Sequence, residues 1–356
     1  MTTTALRHIV ISIGLLCLIF SAGCSDSSDR KLSHSKNGPE AANQDQQASQ
    51  REARTGAFTK EPQAPKITSN EENQEVIIER ISNFLVPTEY FSIKSKHFYD
   101  AICAVSLPKD YYDNPTTNYP MVLAFGGAGE CAKSPQQGAL AWISYYKADE
   151  AAHALASNNL KSSDFRELVT PEQLKKFNRS LHRTPYQGVI LVCPYSPLLG
   201  ANPGFENSDY EKYIMEELIP ALKKHYRIDV SRIGVDGVSM GGARSMYYGF
   251  KYPEVFSRIG SVQAAVGPFM ELYSQLIRTN GEKIRRNSIQ IVSSDGDIFL
   301  KSVENFSSML NTVKINHNLL ILKGPHDYIF NQGPGSIALL AFHASPAQIQ
   351  AKGPVR

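Results

Sequence analysis

The sequence predicts an α/β fold, a mostly parallel sheet with helices on both faces, in one domain spanning residues 76–345. Two observations predict it. Apolar runs of strand length alternate with amphipathic stretches of helix length, and the runs are apolar throughout, as strands covered on both faces must be. No internal repeat is present that would indicate a solenoid or propeller instead.

In chain order the predicted strands are "AICAVSLP", "MVLAFGG", "GVILVCP", "RIGVDG", "RIGSVQA", "SIQIVSS" and "NLLILKG". The predicted helices run from Ala139 to Ala156, Asp209 to His225, Met240 to Lys251, Leu300 to Val313 and Ser336 to Phe342. Residues 133–186 hold the single tryptophan, Trp142, in "ALAWISYYKADEAAHAL", followed by the amphipathic "TPEQLKKFNRSLH". Two readings of this segment stay open: a lid over a site, or a packed helix with Trp142, Tyr145 and Tyr146 in the core.

Ahead of the domain, Arg7 and His8 precede an apolar run from Ile9 to Phe20, which ends in "SAGC". Residues 1–24 therefore predict an export signal, and the small residues before Cys24 resemble a bacterial lipoprotein signal. That resemblance implies a lipidated Cys24 and a membrane-tethered chain in the bacterial cell envelope, at the outer membrane or its periplasmic face. Ser21 departs from the leucine usual three places before such a cysteine, which leaves an ordinary cleaved signal as the alternative. Residues 25–75 have Leu32, Phe58 and Ile67 among few large apolar side chains and predict a disordered tether, while 346–356 form a tail.

A formal charge of +3, from 37 basic and 34 acidic residues, gives no surface for a polyanion, so no nucleic-acid partner is expected. Of five cysteines, Cys103, Cys131 and Cys193 fall in the domain. In an oxidising compartment Cys103 with Cys131 is the pairing left open, because Cys193 reads as a buried strand residue. No Cys/His spacing matches a metal site, and no cofactor is called for.

The chemistry centres on "DGVSMGGA", residues 236–243, where Gly237 to Gly241 match Gly-x-Ser-x-Gly. The motif by itself is common; its setting, after the strand "RIGVDG" and before a helix, is the one a nucleophile elbow requires. Ser239 is the expected nucleophile. Of the histidines after it, His317 falls before a predicted strand and His343 closes a helix. His326, in "KGPHDY", follows a strand, at the edge where parallel sheets gather their sites, and is the expected base. The acid should lie between them, and "DGDIFL" offers Asp295 and Asp297. Two backbone donors should face the oxyanion: Met240, after the nucleophile, and one from the glycine pair Gly126–Gly127 in "LAFGGAGE".

The stretch "DYEKYIMEELIPALKKHYRIDVSRIGVDGVSMGGARSMYYGFKYPEVF", with "YPMVLAFGG", "GDIFL" and "GPHDY", resembles the esterase family that includes S-formylglutathione hydrolase (esterase D), feruloyl esterases and mycolyltransferases. The resemblance implies an α/β-hydrolase fold, with Ser239 as nucleophile, Asp297 as acid, His326 as base, and Gly127 and Met240 as oxyanion donors. Phe125 departs from the histidine that many members carry before the oxyanion glycine. The implied activity is hydrolysis of a carboxylic ester, including acyl groups on polysaccharides, without a cofactor. The alternatives are an acyltransferase of the same fold and a non-catalytic surface lipoprotein.

Overall fold

Tyr119–Phe125 (β4) shows how apolar runs become strands: all seven residues are buried. Met121, Leu123 and Phe125 enter one core while Val122 and Ala124 enter the other. Side chains alternate across a strand, so a run apolar at every position serves two cores, one on each face of the sheet. The computed structural model describes residues 75–198 and 209–345. The expected signal with Cys24, the tether up to residue 74 and the tail 346–356 lie outside the described residues.

The other strands are β1 (Val76–Ile81), β2 (Thr88–Ile93), β3 (Ile102–Ser106), β5 (Ile190–Pro194), β6 (Ile228–Gly237), β7 (Arg258–Val262), β8 (Ser288–Gly296) and β9 (Asn318–Pro325). They form one sheet in the order β1-β2-β3-β5-β4-β6-β7-β8-β9. From β5 to β9 all neighbours are parallel, whereas β1, β2 and β3 form an antiparallel meander attached to β5. The mostly parallel α/β-hydrolase sheet expected from the sequence is present. β1 and β2 were not among the expected strands, because "VIIERI" and "TEYFSI" mix charged and apolar residues. As the outermost strand, β1 keeps its middle four residues exposed, so it carries no continuous apolar run.

The longer helices are α1 (Ala148–Ala156), α2 (Pro171–Arg183), α3 (Ile219–His225), α4 (Met240–Lys251), α5 (Met270–Ile284), α6 (Leu300–Thr312) and α7 (Ser336–Ala344). The helix expected from Ala139 to Ala156 is broken. Tyr146 N–H reaches back five residues to the Ala141 carbonyl at 3.0 Å, and Lys147 turns left-handed at φ 56° before α1 begins. Helix α5 was not expected from the sequence; its inward face is Tyr273, Ile277, Gly281 and Ile284, and a glycine in the third place hides the stripe.

Segment 133–186 packs against the sheet. Trp142 is fully buried with its indole N–H on the Phe125 carbonyl at 3.0 Å, and Tyr146 is buried beside it, so both are core residues. Helix α2 opens with a reciprocal cap between Thr170 and Gln173, whose amide also reaches the Ile321 carbonyl of β9 at 2.9 Å. Cys103, Cys131 and Cys193 are buried thiols outside any disulfide, so the pairing of Cys103 with Cys131 is not made.

Candidate active site

Ser239 stands between β6 and α4 with φ 56° and ψ −116°, in a conformation that costs a non-glycine residue on the order of 1–3 kcal/mol. The fold holds it there from both sides. Its N–H donates to the Val262 carbonyl at 2.9 Å, and its carbonyl accepts from Ala265 at 3.0 Å. A side chain at position 241 would overlap the carbonyl oxygens of Phe125 and Gly126, so Gly241 is what lets α4 approach the end of β4. Sequence and strain agree: the turn is sharp, and packing sustains it.

The expected acid and base lie just past the ends of β8 and β9. Asp297 is buried, and its Oδ1 accepts from His326 Nδ1 at 2.8 Å and from the Phe299 N–H at 2.9 Å. Its Oδ2 accepts the Ser293 hydroxyl at 2.6 Å. A carboxylate on Nδ1 fixes the tautomer, leaving Nε2 as the nitrogen with a lone pair. Phe299 sets its ring edge-on to His326, with centroids 5.1 Å apart. Asp295 is exposed and spends its Oδ1 on the Gly324 N–H at 3.0 Å, pinning β8 to β9. The structure thus brings Asp297, and not Asp295, onto the histidine.

One buried side chain ties these loops together. Gln263, directly after β7, has φ 45° and is fully buried. Its amide donates to Ser294 Oγ at 2.7 Å and to the Pro325 carbonyl, next to His326, at 2.9 Å. Since the preceding residue, Val262, accepts the Ser239 N–H, Ser239 and the turn before His326 are both held from adjacent residues at one strand end. Sequence reasoning missed Gln263; a glutamine inside "RIGSVQAAV" was its signal. Sequence reasoning missed Ser293 as well.

At the oxyanion side, Met240 is the first residue of α4, whose N–H has no intrahelical acceptor by helix geometry. Gly127, the other expected donor, gives its N–H to the Tyr146 hydroxyl at 3.2 Å. That phenol in turn donates to Glu130, a buried carboxylate the sequence did not single out although it follows the glycine pair in "GGAGE". Burial pushes the Tyr146 phenol well above its usual value, with the Glu130 charge adding to the effect, so it stays protonated.

The other histidines lie elsewhere. His317 bonds Ser307 at 2.6 Å and the Ile315 carbonyl at 3.0 Å ahead of β9. His343 is buried against Asp236 at 3.0 Å. A cavity of about 830 Å³ opens at the amino edge of β8 and β9, lined by Arg258, Asn287 and His317, away from Ser239. Next to Asp297 in sequence Ile298 is 64% exposed, and three residues past His326 Ile329 is 53% exposed. Among the described residues, no group of three or more His, Cys, Asp or Glu is placed to hold a metal ion.

No curated protein matches the chain. In fold it is similar to a ferulic acid esterase, at 15% identity with a TM-score of 0.49, covering 76% of this chain and 97% of that one. An S-formylglutathione hydrolase from Agrobacterium tumefaciens is similar at 19% identity and a TM-score of 0.46, covering 76% and 98%. FphF, a fluorophosphonate-binding serine hydrolase of Staphylococcus aureus, is similar at 11% identity and a TM-score of 0.48, covering 77% and 99%. Residues 198–305 match the family model described as "Putative esterase". That stretch begins just after β5 and runs through the elbow and Asp297 into α6, so the match to the esterase model covers the expected nucleophile and acid.

Proposed function

We propose that this esterase-family hydrolase cleaves carboxylic esters through an acyl-enzyme on Ser239, with His326 as base and Asp297 as acid. The observation that carries the reading is the buried Asp297–His326 hydrogen bond of 2.8 Å, at the sheet edge where Ser239 is held at φ 56°. In the first half-reaction Ser239 Oγ attacks the ester carbonyl as His326 Nε2 takes its proton, and Asp297 stabilises the imidazolium through Nδ1. The imidazolium then protonates the leaving alcohol. Water, deprotonated by the same nitrogen, attacks the acyl-enzyme and releases the acid, restoring Ser239. The Met240 N–H faces the charge that develops on the carbonyl oxygen.

The exposed Ile298 and Ile329, close in sequence to the acid and base, support an ester whose acyl part is apolar. An envelope location, with Cys24 lipidated and residues 25–75 as tether, is part of the same proposal. It rests on the signal-like residues 1–24 and makes acyl groups on polysaccharides accessible substrates. The test is turnover of p-nitrophenyl esters together with fluorophosphonate labelling. Labelling of wild type but not of Ser239→Ala, with turnover reduced about a thousandfold or more, is the expected result. A folded Ser239→Ala protein keeping a tenth of the activity would place the chemistry elsewhere, and transfer to an added alcohol in preference to water would make the protein an acyltransferase.

A further inference from the structure

Glu130, three residues after Gly127, receives one hydrogen bond from Tyr146, which itself holds the Gly127 N–H, and one from Tyr328, beside His326. Its Oε2 accepts from Tyr146, whose oxygen accepts the Gly127 N–H at 3.2 Å on the oxyanion side. Its Oε1 accepts from Tyr328 at 2.5 Å, and Tyr328 is two residues beyond His326. The two phenol rings lie 5.8 Å apart between centroids, and the Tyr328 hydroxyl reaches over Gly129, where a Cβ would meet it at 3.4 Å. Asp327 anchors the same turn by accepting the Phe330 N–H at 3.0 Å.

A carboxylate buried to 3% exposure is stable only where charge-assisted donors replace its water, and two phenols supply them here. The core alone does not require this: an apolar side chain at 130 would fill the space without joining a residue near 328 to one near 127. The effect is a clasp between the loop carrying the base and the loop carrying the oxyanion donor, across 198 positions of sequence.

We propose that Glu130 is a positioning residue for the reaction, setting the distance between the His326 loop and the Gly127 loop through Tyr328 and Tyr146. It touches no substrate. It acts on the transition state, because misplacing a reacting group by about 1 Å can lower the rate on the order of a hundredfold while leaving substrate binding nearly unchanged. The inference rests on the proposed Ser239 chemistry.

The experiment measures kcat and KM on p-nitrophenyl acetate for wild type, Tyr328→Phe, Glu130→Gln, Tyr146→Phe and the Tyr328→Phe/Glu130→Gln double variant, with thermal unfolding and fluorophosphonate labelling of each. Absence of labelling in wild type refutes the serine chemistry itself, whereas the variants address the clasp. The expected result is a kcat about tenfold lower in Tyr328→Phe and about thirtyfold lower in Glu130→Gln, with KM within about threefold of wild type. The double variant should be no slower than Glu130→Gln, since both break one link. Tyr328 is at the surface, so Tyr328→Phe keeps the proposal testable if Glu130→Gln does not fold. A kcat for Tyr328→Phe within about twofold of wild type, or effects that multiply in the double variant, would overturn it. So would a faster Tyr146→Phe, which would mean that the phenol withholds the Gly127 N–H.

Discussion

Two histidine–aspartate pairs of nearly the same geometry occupy this domain, 2.8 Å for His326–Asp297 and 3.0 Å for His343–Asp236. Their surroundings differ. His326 stands on a loop at the carboxyl edge of the sheet, its side chain 7% exposed and its Nδ1 on Asp297. His343 is 1% exposed on α7, with Nε2 on Asp236 and Nδ1 without a hydrogen-bond partner among the described residues. A Cβ at Gly234 would overlap the His343 ring, and one at Gly260 would overlap the Asp236 carboxylate, so both backbones press on the pair. No substrate can enter there. On the proposed chemistry only the His326 pair is catalytic; the His343 pair, enclosed by backbone, is a packing element whose Asp236 Oδ1 accepts the Gly237 N–H at 2.7 Å.

The sharpest way to break this comparison is to alter the carboxylate of the pair at the sheet edge, Asp297. Asp297→Asn should lower kcat/KM by roughly a thousandfold or more by presenting the wrong tautomer, with little change in unfolding temperature. Asp295→Asn should cost less than about tenfold; steady-state kinetics showing the reverse ranking would reassign the acid. For the buried pair the signs exchange. His343→Leu leaves Asp236 Oδ2 in the core without its donor and should lower unfolding stability by about 3 kcal/mol in a urea titration. Turnover per folded molecule should stay within about threefold, and a thousandfold loss would make the second pair catalytic. Gly260→Ala should destabilise by about 1–3 kcal/mol through overlap with Asp236, read as a lower urea midpoint at unchanged slope.

The smallest expected effect is a pH dependence of stability. Burial holds His343 below the usual imidazole value, so beneath about pH 6.5 the unfolded chain binds a proton that the folded one refuses. Stability is therefore present above that pH and lost as pH falls, by at most about 1.4 kcal/mol per pH unit for one proton. Burial raises Asp236, which works in the opposite sense nearer the carboxylate range. Urea titrations between about pH 7 and 5.5 should show a flatter dependence in His343→Leu than in wild type, and equal slopes would remove His343 as the cause.

The elements that announced themselves in the sequence were those whose chemistry is local. β4 and β5 are apolar at every buried position and β6 through β9 at most of them, and α4 runs over the residues expected of it. β1, β2 and α5 did not, because an edge strand exposes charged residues and a glycine interrupted the helix stripe. Chain order and strand ends singled out Ser239 and His326, and the residues alone left Asp295 and Asp297 open.

Sequence by itself determined the strand–turn–helix at Ser239, the alternation that makes the sheet, and which edge of it carries the loops, since these follow from periodicity and from glycine's freedom over a few residues. Only the tertiary structure decided which aspartate meets His326, that Gln263 joins the strand end holding Ser239 to the turn before His326, that Gly127 is already bonded to Tyr146, and that Glu130 bonds both Tyr146 and Tyr328. Each of these is a contact between residues tens to nearly two hundred positions apart, whose partners are fixed by how strands stack side by side and not by any neighbour along the chain.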